Sequence, residues 1–337
     1  MLLDSARGLK QLCSETILAS LTAGSEKAVR SFALAAGPMT NVTETLPSLA
    51  LGVALKKGNQ YHLAVRCQRA ELMDGKEVQQ IRKQAKNEVD VRFIGRLRKR
   101  ATPWNQKRVR PLQIGLSCGH FRITAGTLGC FVKLRGDAHK LFILSNNHVL
   151  ADENKAKAGD AILQPGKFDK GKNPQDLVAN YTTTVKLKKT GTNLIDAAIA
   201  EVTSGLSSKA DLLTIKGLGK LAGLGAAFVD QGTEVAKLGR TTDLTRGKVT
   251  AFELDNVVVG YDLGNFRFDN QIEIEGAGTE AFSAGGDSGS LIVVADTREA
   301  IALLFAGGDV GGSNGKGLTY ANPLHTVLDK LKINLAL

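Results

Sequence analysis

The stretch Gly285-Gly286-Asp287-Ser288-Gly289-Ser290 decides how the sequence is interpreted, because it sets a serine between glycines just before an apolar run. That run, residues 291–294, has the composition of a buried β-strand. Glycines permit a tight turn, and a serine held in such a turn exposes its hydroxyl. The same turn can direct backbone N–H groups at one point, as an oxyanion hole requires. For this stretch alone, a simple Gly/Ser hairpin turn is the alternative.

Two polar residues upstream also stand at the ends of apolar runs. His148 follows the run 141–144, and Asp196 begins the run Asp196-Ala197-Ala198-Ile199. The chain order is therefore His, Asp, Ser, with separations of 48 and 92 residues. A histidine alone is more often structural, and an aspartate alone is more often a strand-start cap. The three together, in this order, predict a Ser-His-Asp triad.

Residues 111–337 resemble the trypsin-like, or chymotrypsin-fold, serine peptidases. Four segments carry the resemblance, and they are residues 126–129, 145–150, 196–199 and 285–291. The segments 237–242 and 245–249 are similar to a non-secreted branch with bacterial members and the plant narrow-leaf type. The resemblance implies a mostly β fold of two six-stranded antiparallel β-barrels of chymotrypsin type, preceded by a small N-terminal α/β module.

The sequence divides into three predicted regions. Residues 1–95 form the basic α/β module, 96–112 a basic linker, and 113–337 the peptidase domain. Within that domain we place the first barrel at about 113–203 and the second at about 226–337, joined by the less regular segment 204–225. Other predicted elements are helices over 5–36 up to the Gly37-Pro38 break, strands at 50–55, 61–65 and 90–94, a helix-prone stretch at 70–86, and an amphipathic helix from Leu324.

The resemblance also implies a role for each residue of the triad. His148 is the general base that activates Ser288, and Asp196 orients the imidazole. The backbone N–H groups of Gly286 and Ser288 form the oxyanion hole. The first barrel is expected to carry His148 and Asp196, the second barrel Ser288, and the cleft between them the active site.

Residues that bind the substrate are predicted from the same resemblance. Phe282, six residues before the serine, is expected at the floor of the specificity pocket. The segment 303–308 is the expected edge strand for the substrate backbone, with Ala306, Gly307 and Gly308 at the pocket mouth. Because Phe282 carries no charge, we expect a small or medium-sized apolar residue before the cleaved bond.

The net charge of +11 is confined to the N-terminal third of the sequence. Residues 1–110 contain 20 Lys and Arg against nine acidic residues, which accounts for the whole excess. The segment 92–110 combines a basic cluster with the single tryptophan, Trp104. Such a cluster can bind phosphates and stack a base, so a nucleic-acid-associated function is one alternative. A solvated interdomain linker and a site of proteolytic nicking are the others.

The cysteines and the hydropathy of the sequence indicate the cellular compartment in which the protein is expected. The four cysteines show no metal-ligand spacing, and Val149 stands where secreted relatives usually have a cysteine. A Cys118–Cys130 disulfide is the alternative to four free thiols. No run approaches the length of a membrane span, and the first residues do not form a cationic leader. We therefore expect a cytoplasmic protein without a membrane span, and we expect neither a metal nor a cofactor.

Activation departs from the secreted pattern. Secreted members are cut to free an N-terminus that pairs with the acid before the serine, here Asp287, but no Ile-Val-Gly-Gly start is present. Asp287 is therefore either satisfied internally or awaits a trigger, and the basic module is a candidate binding region for a regulatory partner. The expected substrate is a protein or peptide. A catalytically silent scaffold that binds peptides is the remaining alternative.

Overall fold

The computed structural model describes residues 1–19, 49–95 and 102–337, which fall into two compact units, Met1–Ala101 and Thr102–Leu337. The predicted helical stretch 20–36, the Gly37-Pro38 break and the basic residues 96–100 lie outside the described residues. Each unit is considered by itself.

The first unit is a small α/β module. Helix α1 (Leu3–Cys13) continues into a short π-helical turn (Ser14–Leu18), and α2 spans Lys76–Gln84 after a 3₁₀ turn (Ala70–Asp74). The strands are β1 (Leu49–Lys57), β2 (Gln60–Cys67) and β3 (Val89–Phe93). β1 and β2 form a hairpin, whereas β3 returns parallel to β2 through α2, as a βαβ connection requires.

The first barrel of the second unit is built from six strands in a single sheet. Its elements are β4 (Ser117–His120), β5 (Gly126–Thr127), β6 (Cys130–Leu134), β7 (Asp137–Ser145), helix α3 (Asn147–Leu150), β8 (Ala161–Leu163), β9 (Leu177–Thr184) and β10 (Ala198–Val202). The order β6-β7-β10-β9-β8-β4 closes because β5 pairs with β4 and runs directly into β6. Two backbone bonds between Leu116 and Leu128, and between Gly115 and Leu128, complete the seam.

A short connection leads to the second barrel. It contains α4 (Ser204–Ser207), β11 (Thr214–Ile215), β12 (Gly219–Lys220) and β13 (Gly223–Leu224). The barrel strands are β14 (Glu234–Gly239), β15 (Asp243–Leu254), β18 (Gln271–Gly276), β19 (Leu291–Val294), β20 (Glu299–Gly307) and β21 (Leu318–Pro323). A hairpin, β16 (Val257–Tyr261) and β17 (Gly264–Phe268), is inserted between β15 and β18. Pairing of β20 with β21 closes this barrel.

Both barrels have the same connectivity. When the six strands of a barrel are numbered along the chain, their order around the barrel is 1-2-3-6-5-4 in both cases. A mostly β fold of two antiparallel six-stranded barrels of chymotrypsin type, with a small α/β module before it, was predicted from the sequence, and the structure confirms it.

The barrels pack on each other through strands that are buried on both faces. In β7, Ile143 points into the first barrel while Phe142 and Leu144 point into a core shared with the second barrel. Two-sided burial is why these strands appear in the sequence as continuous apolar runs rather than alternating ones. Helix α5 (Leu324–Leu331) buries its apolar face in the same shared core, and β22 (Ile333–Leu335) then joins β6.

The segment predicted as a basic linker belongs in part to the barrel unit. Asn105 is fully buried and donates to the carbonyl of Gly239 at 2.8 Å. The ring of Trp104 packs against the core, and the Lys216 ammonium lies 4.1 Å from its centre. Arg108 pairs with Asp176. Lys216 thus occupies one face of the partly buried Trp104 ring, and base stacking by this residue stays an untested alternative.

The cysteines and the helices match the predictions in part. All four cysteines are buried free thiols, so the alternative of a Cys118–Cys130 disulfide is wrong. Burial raises the pKa of Cys118 and that of Cys130 to about 12, which keeps both thiols protonated. Among the described residues, no helix is both long and apolar enough to cross a membrane.

The shared core gives a test of the packing. Phe142 is 1% exposed, so Phe142→Ala should lower the free energy of unfolding by about 3–5 kcal/mol in urea denaturation. Phe228 is 54% exposed, and Phe228→Ala should cost less than about 1 kcal/mol. Equal losses in the two variants would contradict a core between the barrels.

Candidate active site

Strand register explains why His148 and Asp196 meet. β7 and β10 are antiparallel neighbours, and Ser145 at the end of β7 faces Ala198 at the start of β10. His148 lies in helix α3 just after β7, and Asp196 lies two residues before β10. The two side chains therefore emerge at the same end of the barrel, and His148 Nδ1 lies 2.6 Å from Asp196 Oδ2.

The Asp196 carboxylate is fully buried and accepts four hydrogen bonds. Oδ1 accepts from the backbone N–H groups of Asn147 at 2.6 Å and His148 at 3.3 Å. Oδ2 accepts from His148 Nδ1 and from the hydroxyl of Tyr261, also at 2.6 Å. A buried carboxylate stays ionised only when its oxygens are paired in this way. Asp196 is thereby fixed as an acceptor for the imidazole.

Competing effects act on the pKa of His148. Burial lowers it, but the charge and hydrogen bond of Asp196, together with the charge of Glu153, outweigh the burial and raise the pKa above its ordinary value. The side chain is still 23% exposed. With Nδ1 bonded to Asp196, the Nε2 atom is the nitrogen left for a proton transfer.

The turn that carries Ser288 docks directly on the first barrel. The backbone N–H of Thr127 in β5 donates to the Ser288 carbonyl at 2.8 Å. At Gly289, φ is +91°, and an added Cβ would lie 2.0 Å from Ser145 Oγ. Glycine is thus required there both by backbone conformation and by the close approach of the other barrel.

Ser288, His148 and Gly286 line one cavity of about 400 Å³ at the junction of the barrels. Among the described residues, the Ser288 hydroxyl has no hydrogen-bond partner, so no Ser288–His148 bond is formed in this structure. The backbone N–H groups of Gly286 and Ser288 likewise donate to no other described group. The arrangement thus leaves the Ser288 hydroxyl, the Nε2 atom of His148 and two N–H donors without partners among the described residues around one space.

The acid before the serine is satisfied inside the barrel. Asp287 is fully buried and accepts from the N–H groups of Thr241 at 2.7 Å and Ala284 at 3.0 Å, and from the Thr242 hydroxyl at 2.7 Å. The ammonium of Lys237, also fully buried, lies 3.3 Å from its carboxylate. Burial lowers the pKa of Lys237, and Asp287 opposes that effect. An internal cation therefore neutralises Asp287.

The predicted substrate-binding residues differ in their burial. Phe282 is 1% exposed and packs in the core of the second barrel, and its role at the floor of a specificity pocket stays a prediction. Gly307 and Gly308 are exposed at the end of β20, and Ala306 is half-buried. The side chain beside Gly307 is Ser283, whose hydroxyl lies 2.7 Å from that of Thr319.

Sequence reasoning missed four residues near the site. Ser283 directly follows Phe282, the residue predicted at the pocket floor, and its neighbour Thr319 carried no signal at all. Lys237 did carry one, because a lysine in the apolar strand 235–238 has to find a buried partner. Tyr261 lies in an inserted hairpin, and its contact with Asp196 depends on tertiary packing that spacing does not reveal. Among the described residues, no group of His, Cys, Asp or Glu could hold a metal.

The similarity of this chain to known proteins lies in its structure and not in its sequence. No protein-family model matches the sequence, and no similar curated protein was found. The structure is similar to a chymotrypsin from Cellulomonas bogoriensis (17% identity, 67% of this chain, 98% of that chain, TM-score 0.45) and to a Nocardiopsis protease (15%, 67%, 99%, 0.47). It is also similar to a glutamic-acid-specific serine protease (21%, 67%, 100%, 0.48). The low identities and TM-scores leave function to be argued from the site.

The Lys237–Asp287 pair can be tested by a double-mutant cycle. Lys237→Met leaves a buried carboxylate without its cation, so the free energy of unfolding should fall by about 3–5 kcal/mol. The double variant with Asp287→Asn should lose less than the two single losses added, by about 1–3 kcal/mol. The exposed Lys316→Met is the control and should be close to neutral. Strict additivity in urea denaturation would rule out a coupled pair.

Proposed function

We propose that this chain is a serine endopeptidase that hydrolyses peptide bonds through Ser288, His148 and Asp196. The observation that carries the proposal is the 2.6 Å bond between His148 and Asp196 at the edge of the cavity that Ser288 lines. A serine hydroxyl is a weak nucleophile, and it needs a base of this kind.

The proposed reaction proceeds in two halves. Ser288 Oγ attacks the substrate carbonyl while His148 Nε2 takes its proton, and the imidazolium is stabilised by Asp196. The tetrahedral intermediate collapses, the C–N bond breaks, and His148 gives the proton to the leaving amine. Water then attacks the acyl-enzyme with His148 again as base, which releases the acid and restores Ser288.

The N–H groups of Gly286 and Ser288 are the proposed oxyanion hole. Both are free of other partners in the described chain, and Gly286 has a φ of +95°, which suits glycine. An added Cβ at Gly286 would lie 2.6 Å from both the Arg240 guanidinium and the Thr241 hydroxyl. One donor of this kind typically contributes about 3 kcal/mol to the stability of the transition state.

The proposed substrate is an extended peptide. At the end of β20, Ala306 and Gly307 pair with β21 on one side, and both lie beyond Leu303, the last residue of β20 that pairs with β19 on the other. That free edge supports binding of a substrate strand by backbone hydrogen bonds. The hydroxyls of Ser283 and Thr319 beside Gly307 support an uncharged residue of small or medium size before the cleaved bond.

The internal Lys237–Asp287 ion pair restricts which kinds of regulation we propose. Because Lys237 already neutralises Asp287, the site does not depend on a cut that frees a new N-terminus. The basic charge of residues 1–110 supports a regulatory partner at the first unit. The buried free thiols support a reducing, cytoplasmic location, and the segments 237–242 and 245–249 support the non-secreted branch.

One observation favours a second candidate, a silent scaffold that binds peptides. The Ser288 hydroxyl forms no bond with His148 in the described structure, and a permanent gap would leave it unactivated. Such bonds are often loose in the absence of substrate, so the gap is compatible with catalysis. A nucleic-acid function through 92–110 stays a prediction, because residues 96–100, which hold much of its basic cluster, lie outside the described residues.

Activation of Ser288 separates the peptidase from the scaffold. The protein should be labelled by a fluorophosphonate, and Ser288→Ala should lose the label and about a millionfold in kcat on a peptide library. The exposed Ser208→Ala should keep both. Failure of the wild-type protein to label, or labelling that survives in Ser288→Ala, would contradict the proposal.

The pH profile gives a further test. A general base acts as the neutral imidazole, so activity is present above the pKa of His148 and is lost as the pH falls through it. Since Asp196 and Glu153 raise that pKa, the acid limb of kcat/KM should lie above the ordinary pKa of imidazole. A limb at or below the ordinary value would show that the pair does not interact as described. Glu201→Gln is the control, because this half-buried carboxylate pairs with Lys140 and not with His148, and it should leave the limb in place.

A further inference from the structure

The hairpin β16–β17 is inserted into the second barrel but is fastened to the first barrel at both ends. At its base, the Asn193 backbone N–H donates to the Arg267 carbonyl and the Asp269 N–H donates to the Asn193 carbonyl, each at 3.0 Å. At its tip, the N–H groups of Asp262 and Leu263 donate to the Glu153 carboxylate, each at 3.1 Å. Glu153 lies five residues after His148, and Asn193 lies three before Asp196.

Between these two ends, the hairpin presents Tyr261 to the Asp196–His148 pair. The phenol donates to Asp196 Oδ2 at 2.6 Å, the same oxygen that faces His148 Nδ1. The ring meets the His148 imidazole edge to face, with centroids 5.8 Å apart. It also packs on Phe266 and Phe268, which belong to a buried aromatic cluster with Phe305.

We propose that Tyr261 is a positioning residue for the peptidase reaction, which holds Asp196 in place for His148 and limits the basicity of the shared oxygen. The inference rests on the proposed function and goes beyond the three residues of the triad. The Tyr261 hydroxyl donates its single hydrogen to Oδ2, so it has none left to donate to a substrate. Tyr261 therefore acts through Asp196 and not on the substrate.

The chemistry gives the direction of the effect. A donor to Oδ2 draws negative charge toward the phenol and away from the imidazolium, so it weakens the hold of Asp196 on the His148 proton. Burial and Asp196 raise the pKa of Tyr261 well above its ordinary value, which keeps the phenol protonated at working pH. Removal of the hydroxyl should therefore raise the pKa of His148.

The other charged groups around His148 are unchanged when Tyr261 is replaced by phenylalanine. Asp196 and Glu153 act on it directly, and Asp152, Asp262 and Arg122 line the same cavity. None of these is changed when Tyr261 becomes phenylalanine, and the ring contacts are kept. Tyr320 offers a matched control, because it packs on the same aromatic cluster, while its neighbour across the sheet is Glu273 and not Asp196.

The experiment compares Tyr261→Phe, Tyr320→Phe and the wild-type protein. We expect Tyr261→Phe to shift the acid limb of kcat/KM upward by about half a pH unit and to lower kcat about tenfold with little change in KM. Tyr320→Phe should match the wild-type protein. An unshifted limb in Tyr261→Phe, or equal losses in both variants, would overturn the proposal, because either result would reduce the hydroxyl to a packing role.

A second measurement separates this proposal from the proposed function. The His148 imidazole C2 proton can be titrated by NMR whether or not the protein cleaves peptides. Its midpoint should rise in Tyr261→Phe by the same half unit. A midpoint that stays at the wild-type value would overturn the role of Tyr261. If the His148 midpoint rises in Tyr261→Phe but the wild-type protein is not labelled by the fluorophosphonate, the effect of Tyr261 on the Asp196–His148 pair is supported. The peptidase proposal is then contradicted.

Discussion

Thr127 joins the two halves of the site, and the remaining geometry depends on it. It is fully buried in the first barrel, and three of its hydrogen bonds cross to the second barrel. Its N–H donates to the Ser288 carbonyl, and its hydroxyl donates to the Gly286 carbonyl and accepts from the Arg240 N–H, at 2.8, 3.0 and 3.0 Å. Ser145 in turn donates to its carbonyl at 2.7 Å. Through these bonds, Thr127 holds the turn that carries Ser288 against the strand of the first barrel that leads to His148.

Buried charge reinforces the same junction from two directions. Arg240 of the second barrel forms a two-bond pair with Asp169 of the first, with both distances at 2.6 Å, and Ser117 also donates to that carboxylate. Lys237 neutralises Asp287 beneath the turn. Buried pairs of this kind contribute little net stability, but loss of either partner is costly, so they favour one arrangement over others.

The sequence was sufficient to predict the strands and the three triad residues, which have local patterns. It was insufficient for contacts between residues that are far apart in the chain. The two barrels were predicted from the resemblance, and the apolar runs at 141–144 and 291–294 agree with it because these strands are buried on both faces. His148, Asp196 and Ser288 were found because each ends or begins such a run. Ser283 was missed because only the folded chain shows that its side chain lies beside Gly307. Tyr261 and Thr127 could not be found, since their roles exist only once two barrels meet.

The central claim is that the docking of the barrels forms a peptidase site around Ser288 with a ready oxyanion hole. A crystal structure of the protein after reaction with a peptidyl phosphonate tests this most directly. We predict a covalent bond from phosphorus to Ser288 Oγ, a phosphonyl oxygen at about 2.7–3.1 Å from the N atoms of both Gly286 and Ser288, and His148 Nε2 turned to Ser288. An adduct on another residue, or an oxygen directed away from those N–H groups, would contradict the account.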